Sequence, residues 1–327
     1  TSGLLIDIRN IDLEVSLPED WYFKGDRRNE LKTASENFNG VAAQGLYLLW
    51  NKPPQDRTES DFKLHDAIIT YAIDHDMDSI TGLHLLWGYP AATPDWLRGL
   101  NNEQLLKIIE EHVTQVVTRY PKINTWSVVN EPYRNSDGIV DFWGSKFPSD
   151  YSWIKTAFTA ANIANPSATL ILNDFGIEVP GTTGFSQSKT QRLLDIGEQL
   201  KQDNVPISGF GFQMHLYAKD FADPGKTEEL MKAFAENIKK FQDVYGNVII
   251  TELDIINDPN NPTAQATAYE VVIKTALESG VKKIIIFGVM DRDSWKPKEQ
   301  PLLFDENLQP KASYYTVMRA LLTAEIP

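Results

Sequence analysis

The sequence predicts an α/β protein built as a single (β/α)8 TIM barrel, and three observations carry that expectation. Short, branched, apolar runs alternate with longer amphipathic ones, as strands and crossover helices do in a parallel sheet. Eight strand-like runs fit into 327 residues with no Gly/Ser- or Pro-rich linker between them, so one catalytic domain over residues 1–327 accounts for the length. The first strand turns carry no G-x-G-x-x-G fingerprint, which argues against an open, doubly wound dinucleotide-binding sheet.

Taken in order, the first three strands are the weaker ones, at 11–16, 40–43 and 79–86. The later five, at 123–129, 169–172, 209–213, 248–251 and 283–289, read as buried parallel strands. Helices are expected near 61–76, 102–120, 153–165, 189–202, 227–245 and 263–279. In the second of these, Leu105, Ile109, His112, Val113, Val116 and Val117 share one face, and Asn101 with Gln104 forms a capping box at its start.

Composition narrows the function. Lys and Arg number 31 against 45 Asp and Glu, a net charge of −14 that repels phosphate backbones. Nucleic acid and anionic membrane surfaces are therefore not expected partners, whereas neutral polymers remain open. The absence of cysteine excludes disulfides, thiolate metal sites and cysteine nucleophiles. No apolar run approaches the roughly 20 residues that span a bilayer. The opening Thr1-Ser2-Gly3 carries no signal segment, as expected of a processed or trimmed form. No histidine pair has the spacing of a zinc motif, so neither metal nor cofactor is expected.

Chemistry in a barrel gathers at the C-terminal ends of the strands. The fourth strand ends in Asn130-Glu131-Pro132 and the seventh in Glu252-Leu253-Asp254. Two carboxylates facing each other across the mouth suit glycoside hydrolysis, where one protonates the leaving oxygen and the other attacks the anomeric carbon. A single Glu after a strand is more often solvated or ion-paired; the coincidence of two, each with a polar companion, favours catalysis. Gln213-Met214-His215 closes the sixth strand and Asn173-Asp174 the fifth. His215 is placed to bond Glu252 or Asp254 and to keep Glu252 ionised. Trp87, Trp96 and Trp295 fall in segments after strands, where an indole can stack on a sugar ring, and Trp295 lies in a polar loop with no core periodicity. Trp126 and Trp153 read as core.

These residues also carry a family resemblance. W-S-V-V-N-E-P at 126–132, N-D-F-G-I-E at 173–178, G-F-G-F-Q-M-H-L at 209–216 and V-I-I-T-E-L-D-I at 248–255 resemble glycoside hydrolase family 10, the barrel xylanases. T-P-D-W-L at 93–97, F-G-V-M-D-R-D-S-W at 287–295 and P-L-L-F-D-E-N-L-Q-P-K-A-S-Y at 301–314 extend it in order from about Phe38 onward. The resemblance implies an endo-1,4-β-xylanase acting on a polysaccharide or oligosaccharide by retention. Glu131 would be the acid/base and Glu252 the nucleophile. Asn130 would meet the 2-hydroxyl of the sugar at the cleavage point, His215 would support the nucleophile with Asp254 behind it, and Gln213 would share that wall. It further implies sugar-binding positions at Gln44, Trp87, Asn173, Phe175, Phe287 and Trp295, and a secreted monomer.

The departures lie on one side. Where the family reads T-P-E-N-x-M-K-W, residues 42–50 have neither Lys nor Glu; where it reads G-H-T-L-V-W-H, residues 82–88 are G-L-H-L-L-W-G. Its W-G-V is Phe287-Gly288-Val289 and its N-D-Y is Asn173-Asp174-Phe175. Strand alternation would aim His84 away from the mouth, so it is not expected to replace the lost histidine. Each missing sugar bond would cost about 0.5–1.5 kcal/mol. Two other readings follow: the same chemistry on another β-glycan or glycoside, and a non-catalytic carbohydrate-binding barrel.

Overall fold

A computed structural model describes residues 11–17, 27–90, 93–132, 142–148 and 150–327. Eight parallel strands form a closed ring: β1 (Asp12–Leu17), β2 (Gly40–Ala43), β3 (Ser79–Trp87), β4 (Thr125–Asn130), β5 (Thr169–Asp174), β6 (Gly209–Phe212), β7 (Asn247–Ile256) and β8 (Lys283–Ile286). Each pairs in parallel with the next, and β8 returns to pair with β1. A short extra strand, His215–Tyr217, runs on beyond β6 and pairs with the far half of β7, setting His215 opposite Asp254.

Helices surround the ring: α1 (Arg28–Asn37), α2 (Glu59–Asp74), α3 (Asn102–Arg119), α4 (Ser152–Ala164), α5 (Gln187–Gln202), α6 (Pro224–Tyr245), α7 (Ala264–Glu278) and α8 (Ala312–Thr323). In α3 the six residues of the expected apolar face are buried. Its capping box closes with Gln104 N–H on Asn101 Oδ1 and Asn101 N–H on Gln104 Oε1, both at 2.9 Å. The six helices expected from sequence form within two or three residues of their anticipated ends. The expectation lacked α1 and α8. Helix α1 buries only Glu30 and Ala34 and so has almost no apolar stripe to read.

Two strand ends differ from expectation. Strand β7 does not stop before Glu252 but carries both Glu252 and Asp254 within it. Strand β8 ends at Ile286, because Gly288 turns the chain at a φ of 131°. Both β3 and β7 also contain a register shift. Leu83 and Leu86 face Ser127 and Val129, and Ile250 and Leu253 face Ile284 and Ile286, so each strand has one residue more than its neighbour. Such bulges re-aim side chains at barrel rims.

Most of the core fills the space between strands and helices. Ala42, Leu83 and Ile285 form a separate small cluster inside the ring. At the end of the ring where the strands begin, the wholly buried Glu14 of β1 is paired with Lys283 of β8. Ser79 and Thr81 of β3 donate to the same Glu14 oxygen at 2.7 and 3.0 Å. Among the described residues, no helix is long and apolar enough to cross a membrane.

Candidate active site

The strands open at their C-terminal ends into a cleft of about 670 Å³. Glu131 and Glu252 both line it, as do Asn130, Gln213, His215, Gln44, Trp87, Phe175, Phe287 and Trp295. Asn173 and Asp254, the other two residues expected at the site, are fully buried just beneath.

Glu252 is only 5% exposed and is met by donors from three directions. Asn173 Nδ2 lies 2.9 Å from Oε1, His84 Nε2 3.3 Å from the same oxygen, and His215 Nε2 3.5 Å from Oε2. Burial opposes ionisation, but the hydrogen bonds and charges of His215 and His84 outweigh it and hold the carboxyl down at about 2. His215 is itself backed by Asp254, whose Oδ1 is 3.0 Å from Nδ1. Burial would lower the imidazole, yet Asp254 and Glu252 together raise it well above its ordinary value. The indole N–H of Trp295 donates to the other Asp254 oxygen, and Phe287 packs edge-on against His215 with centroids 5.3 Å apart.

Glu131 sits just past β4, where its φ of 51° swings the chain out of the strand direction. Its own N–H is tied to the Asn173 carbonyl at 2.9 Å. Trp87 Nε1 donates to Oε2 at 3.0 Å and Gln213 Nε2 to Oε1 at 3.1 Å. Gln213 also approaches Asn130 Oδ1 at 3.2 Å, and Asn173 donates to that atom at 2.7 Å. A continuous hydrogen-bond chain thus runs from Glu131 through Gln213, Asn130 and Asn173 to Glu252. With Oδ1 taken twice, Asn130 has its Nδ2 left to donate to a ligand.

Several placements differ from the sequence reading. His84 does not point away; the β3 shift between Leu83 and Leu86 resets the alternation and turns it into the cleft against Glu252. The Leu83–His84 peptide is cis. Trp96 is not at the cleft: its N–H donates to the Trp50 carbonyl and its ring stacks on Trp50. Trp126 and Trp153 are core residues, as expected. Trp87 presents its edge to Glu131, flanked by Tyr47 and Tyr89 at 5.1 and 5.0 Å. Gln44 spends its amide N–H on Ser16 Oγ at 2.7 Å. Beside Phe175, the Lys189 ammonium lies 3.3 Å over the ring centroid and pairs with the buried Asp174, whose carboxyl burial pushes up.

Glu178 was not singled out from sequence, although it lines the cleft. It is 3% exposed, accepts the Met214 N–H at 3.0 Å, and is raised by burial. The signal was present in N-D-F-G-I-E, where a carboxylate follows a glycine turn just past a strand. Among the described residues, no group of three or more acidic or histidine side chains is arranged to hold a metal ion.

A family model described as glycosyl hydrolase family 10 matches residues 20–320. The chain belongs to that family. It is a glycoside hydrolase. Endo-1,4-β-xylanase B of Thermotoga neapolitana is 26% identical, over 96% of this chain and 89% of its own. Endo-1,4-β-xylanase 2 of Claviceps purpurea is 30% identical, over 80% and 74%. Among solved structures, xylanase 10B of Thermotoga petrophila RKU-1, in complex with xylobiose, matches this family 10 barrel with a TM-score of 0.85 at 25% identity, over 98% of this chain and 97% of that one. Native xylanase 10B of Thermotoga maritima gives 0.84 at 26%, over 98% of each chain.

Proposed function

We propose that this family 10 hydrolase is a retaining endo-1,4-β-xylanase, with residues 1–327 as one catalytic domain. The observation that carries the reading is the pair Glu131 and Glu252 on one cleft, with Glu252 gripped by donors and Glu131 beside a tryptophan N–H and an amide. The relatives' names support xylan as the substrate. In this scheme Glu131 gives its proton to the glycosidic oxygen while Glu252 attacks the anomeric carbon, and the aglycone leaves as an alcohol. Glu131, now a carboxylate, takes a proton from water, whose oxygen attacks the same carbon and frees Glu252. Asn130 donates from Nδ2 to the 2-hydroxyl, while Trp87, Phe175, Phe287 and Trp295 supply ring faces or edges around the sugar. The charge of −14 supports the absence of a nucleic-acid partner. A monomeric, secreted state rests on the family resemblance alone.

The test is product analysis on xylan, with the anomer followed by NMR, beside two variants. Xylo-oligosaccharides appearing first as the β-anomer are expected. Glu252→Ala should be inactive on aryl β-xylosides, and azide should restore part of the activity of Glu131→Ala. An initial α-anomer, or variants as fast as the parent enzyme, would remove the reading. A second reading, hydrolysis of another β-glycan, is favoured by Leu83, which lines the cleft where the family motif has a histidine. Xylosides ranking last in a panel of aryl β-glycosides would promote it.

A further inference from the structure

We infer that His84, oriented by Ser127, is a positioning residue that anchors Oε1 of Glu252 and leaves Oε2 to attack. This rests on Glu252 being the nucleophile. His84 Nδ1 lies 2.7 Å from Ser127 Oγ, and Nε2 lies 3.3 Å from Glu252 Oε1. Ser127 is wholly buried, and its hydroxyl has no other hydrogen-bond partner among the described residues. A carboxylate can only accept, so the ring must carry its proton on Nε2; a hydroxyl can donate, so Ser127 can satisfy Nδ1. The ring thus bridges the two contacts, Nε2 to Glu252 and Nδ1 to Ser127.

His84 is backed by a hydroxyl and His215 by a carboxylate, Asp254, which favours the imidazolium. The two rings take different oxygens of one carboxylate. Oε1 receives both Asn173 and His84, while Oε2 has only His215, at the longer distance of 3.5 Å. Oε2 is thus the atom with electron density to spare for the anomeric carbon. As the Oε2–carbon bond forms, the bond to the glycosidic oxygen breaks and that oxygen takes the Glu131 proton. Oε1 becomes the ester carbonyl, still held by Asn173 and His84. When water adds to the carbon, the Oε2–carbon bond breaks, its electron pair returns to the carboxylate and Glu131 takes the water's proton. The two donors on Oε1 then stabilise that returning charge.

The titratable groups facing Glu252 are His84 from β3, Glu131 beyond β4, His215 from the extra strand and Asp254 along β7. Removing His84 alone takes away one donor to the charged form, so Glu252 protonates at higher pH and the acidic limb of kcat/KM moves up. The experiment follows covalent glycosyl-enzyme formation from an activated 2-deoxy-2-fluoro-β-xyloside by mass spectrometry, with pH–rate profiles on an aryl β-xyloside. His84→Ala should slow trapping about 10- to 100-fold, as expected when an attacking group loses its fixed orientation. His84→Gln, which restores an N–H donor, should recover most of that rate, and Ser127→Ala should lose a smaller share. A packing role would lower thermal stability but would leave the acidic limb in place and give no advantage to Gln over Ala. Folded His84→Ala with parental trapping and an unmoved limb, or His84→Gln no faster than His84→Ala, would overturn the inference. A dead Glu252→Ala beside such a result would remove this inference alone; an active Glu252→Ala would remove the nucleophile reading and this one with it.

Discussion

Asp254 never reaches the cleft, yet the charge state of the residue that does depends on it. Its carboxylate, together with that of Glu252, raises His215 well above the ordinary imidazole value and so favours the cation beside Glu252. Such a raised group contributes fully below its unfolded value of about 6.5 and loses its contribution only as pH climbs through the folded value. Asp254→Asn should bring that folded value down toward 6.5. The alkaline limb of kcat/KM should then fall at lower pH than in the parent enzyme, while rates below about pH 5.5 change least. Paired pH–rate profiles check this, and coincident alkaline limbs would contradict it. At this scale much was legible. Glu131, Glu252 and His215 stand after apolar runs, and their polarity there needs a reason that any reader of the chain can seek. His84 was not legible, because its direction depends on a pairing slip between β3 and β4 that no local pattern encodes.

Strands β5 and β6 meet with Asn173 directly opposite Gly211. A Cβ built at Gly211 would lie 2.1 Å from Asn173 Oδ1, the atom that accepts the Thr251 hydroxyl at 2.7 Å. The glycine makes room for the amide that joins Asn130 to Glu252. Gly211→Ala should therefore displace Asn173, lowering stability by about 1–3 kcal/mol. It should also reduce kcat about tenfold or more through the lost bond to Glu252. Gly99→Ala is the control, since nothing lies within 4 Å of its added carbon and its backbone is already helical. Urea melts and kcat on an aryl glycoside measure both variants; equal behaviour would refute the argument. Strand and helix existence were readable from periodicity, as α3 with its capping box shows. Strand ends were less so: β7 continues through Glu252 because the extra strand at 215–217 pairs with its far half, a partner that cannot be read from β7 itself.

The ring closes over a buried ion pair far from the cleft. Lys283 of β8 meets Glu14 Oε1 of β1, to which Ser79 and Thr81 also donate, while the buried Oε2 has no hydrogen-bond partner among the described residues. Lys283→Met would leave that carboxylate charged and unpaired in the interior, at a cost of about 3–5 kcal/mol. The thermal midpoint should drop, while kcat/KM of the folded enzyme at 25 °C stays within roughly twofold, the site being distant. Adding Glu14→Gln should recover part of the loss. A midpoint unchanged in the single variant would show that the pair does not hold the seam. The eightfold alternation foretold the barrel but not this fastening, since Glu14 and Lys283 are separated by 269 positions and nothing local to either names its partner.

That separation orders events during synthesis. The edge of β1 that β8 covers has its mate only once the eighth strand has been made. Until then Glu14 is an acidic side chain beside the uncovered edge, and charge at such an edge discourages annealing to a neighbouring chain. Only with Lys283 does the same group exchange water for an ammonium.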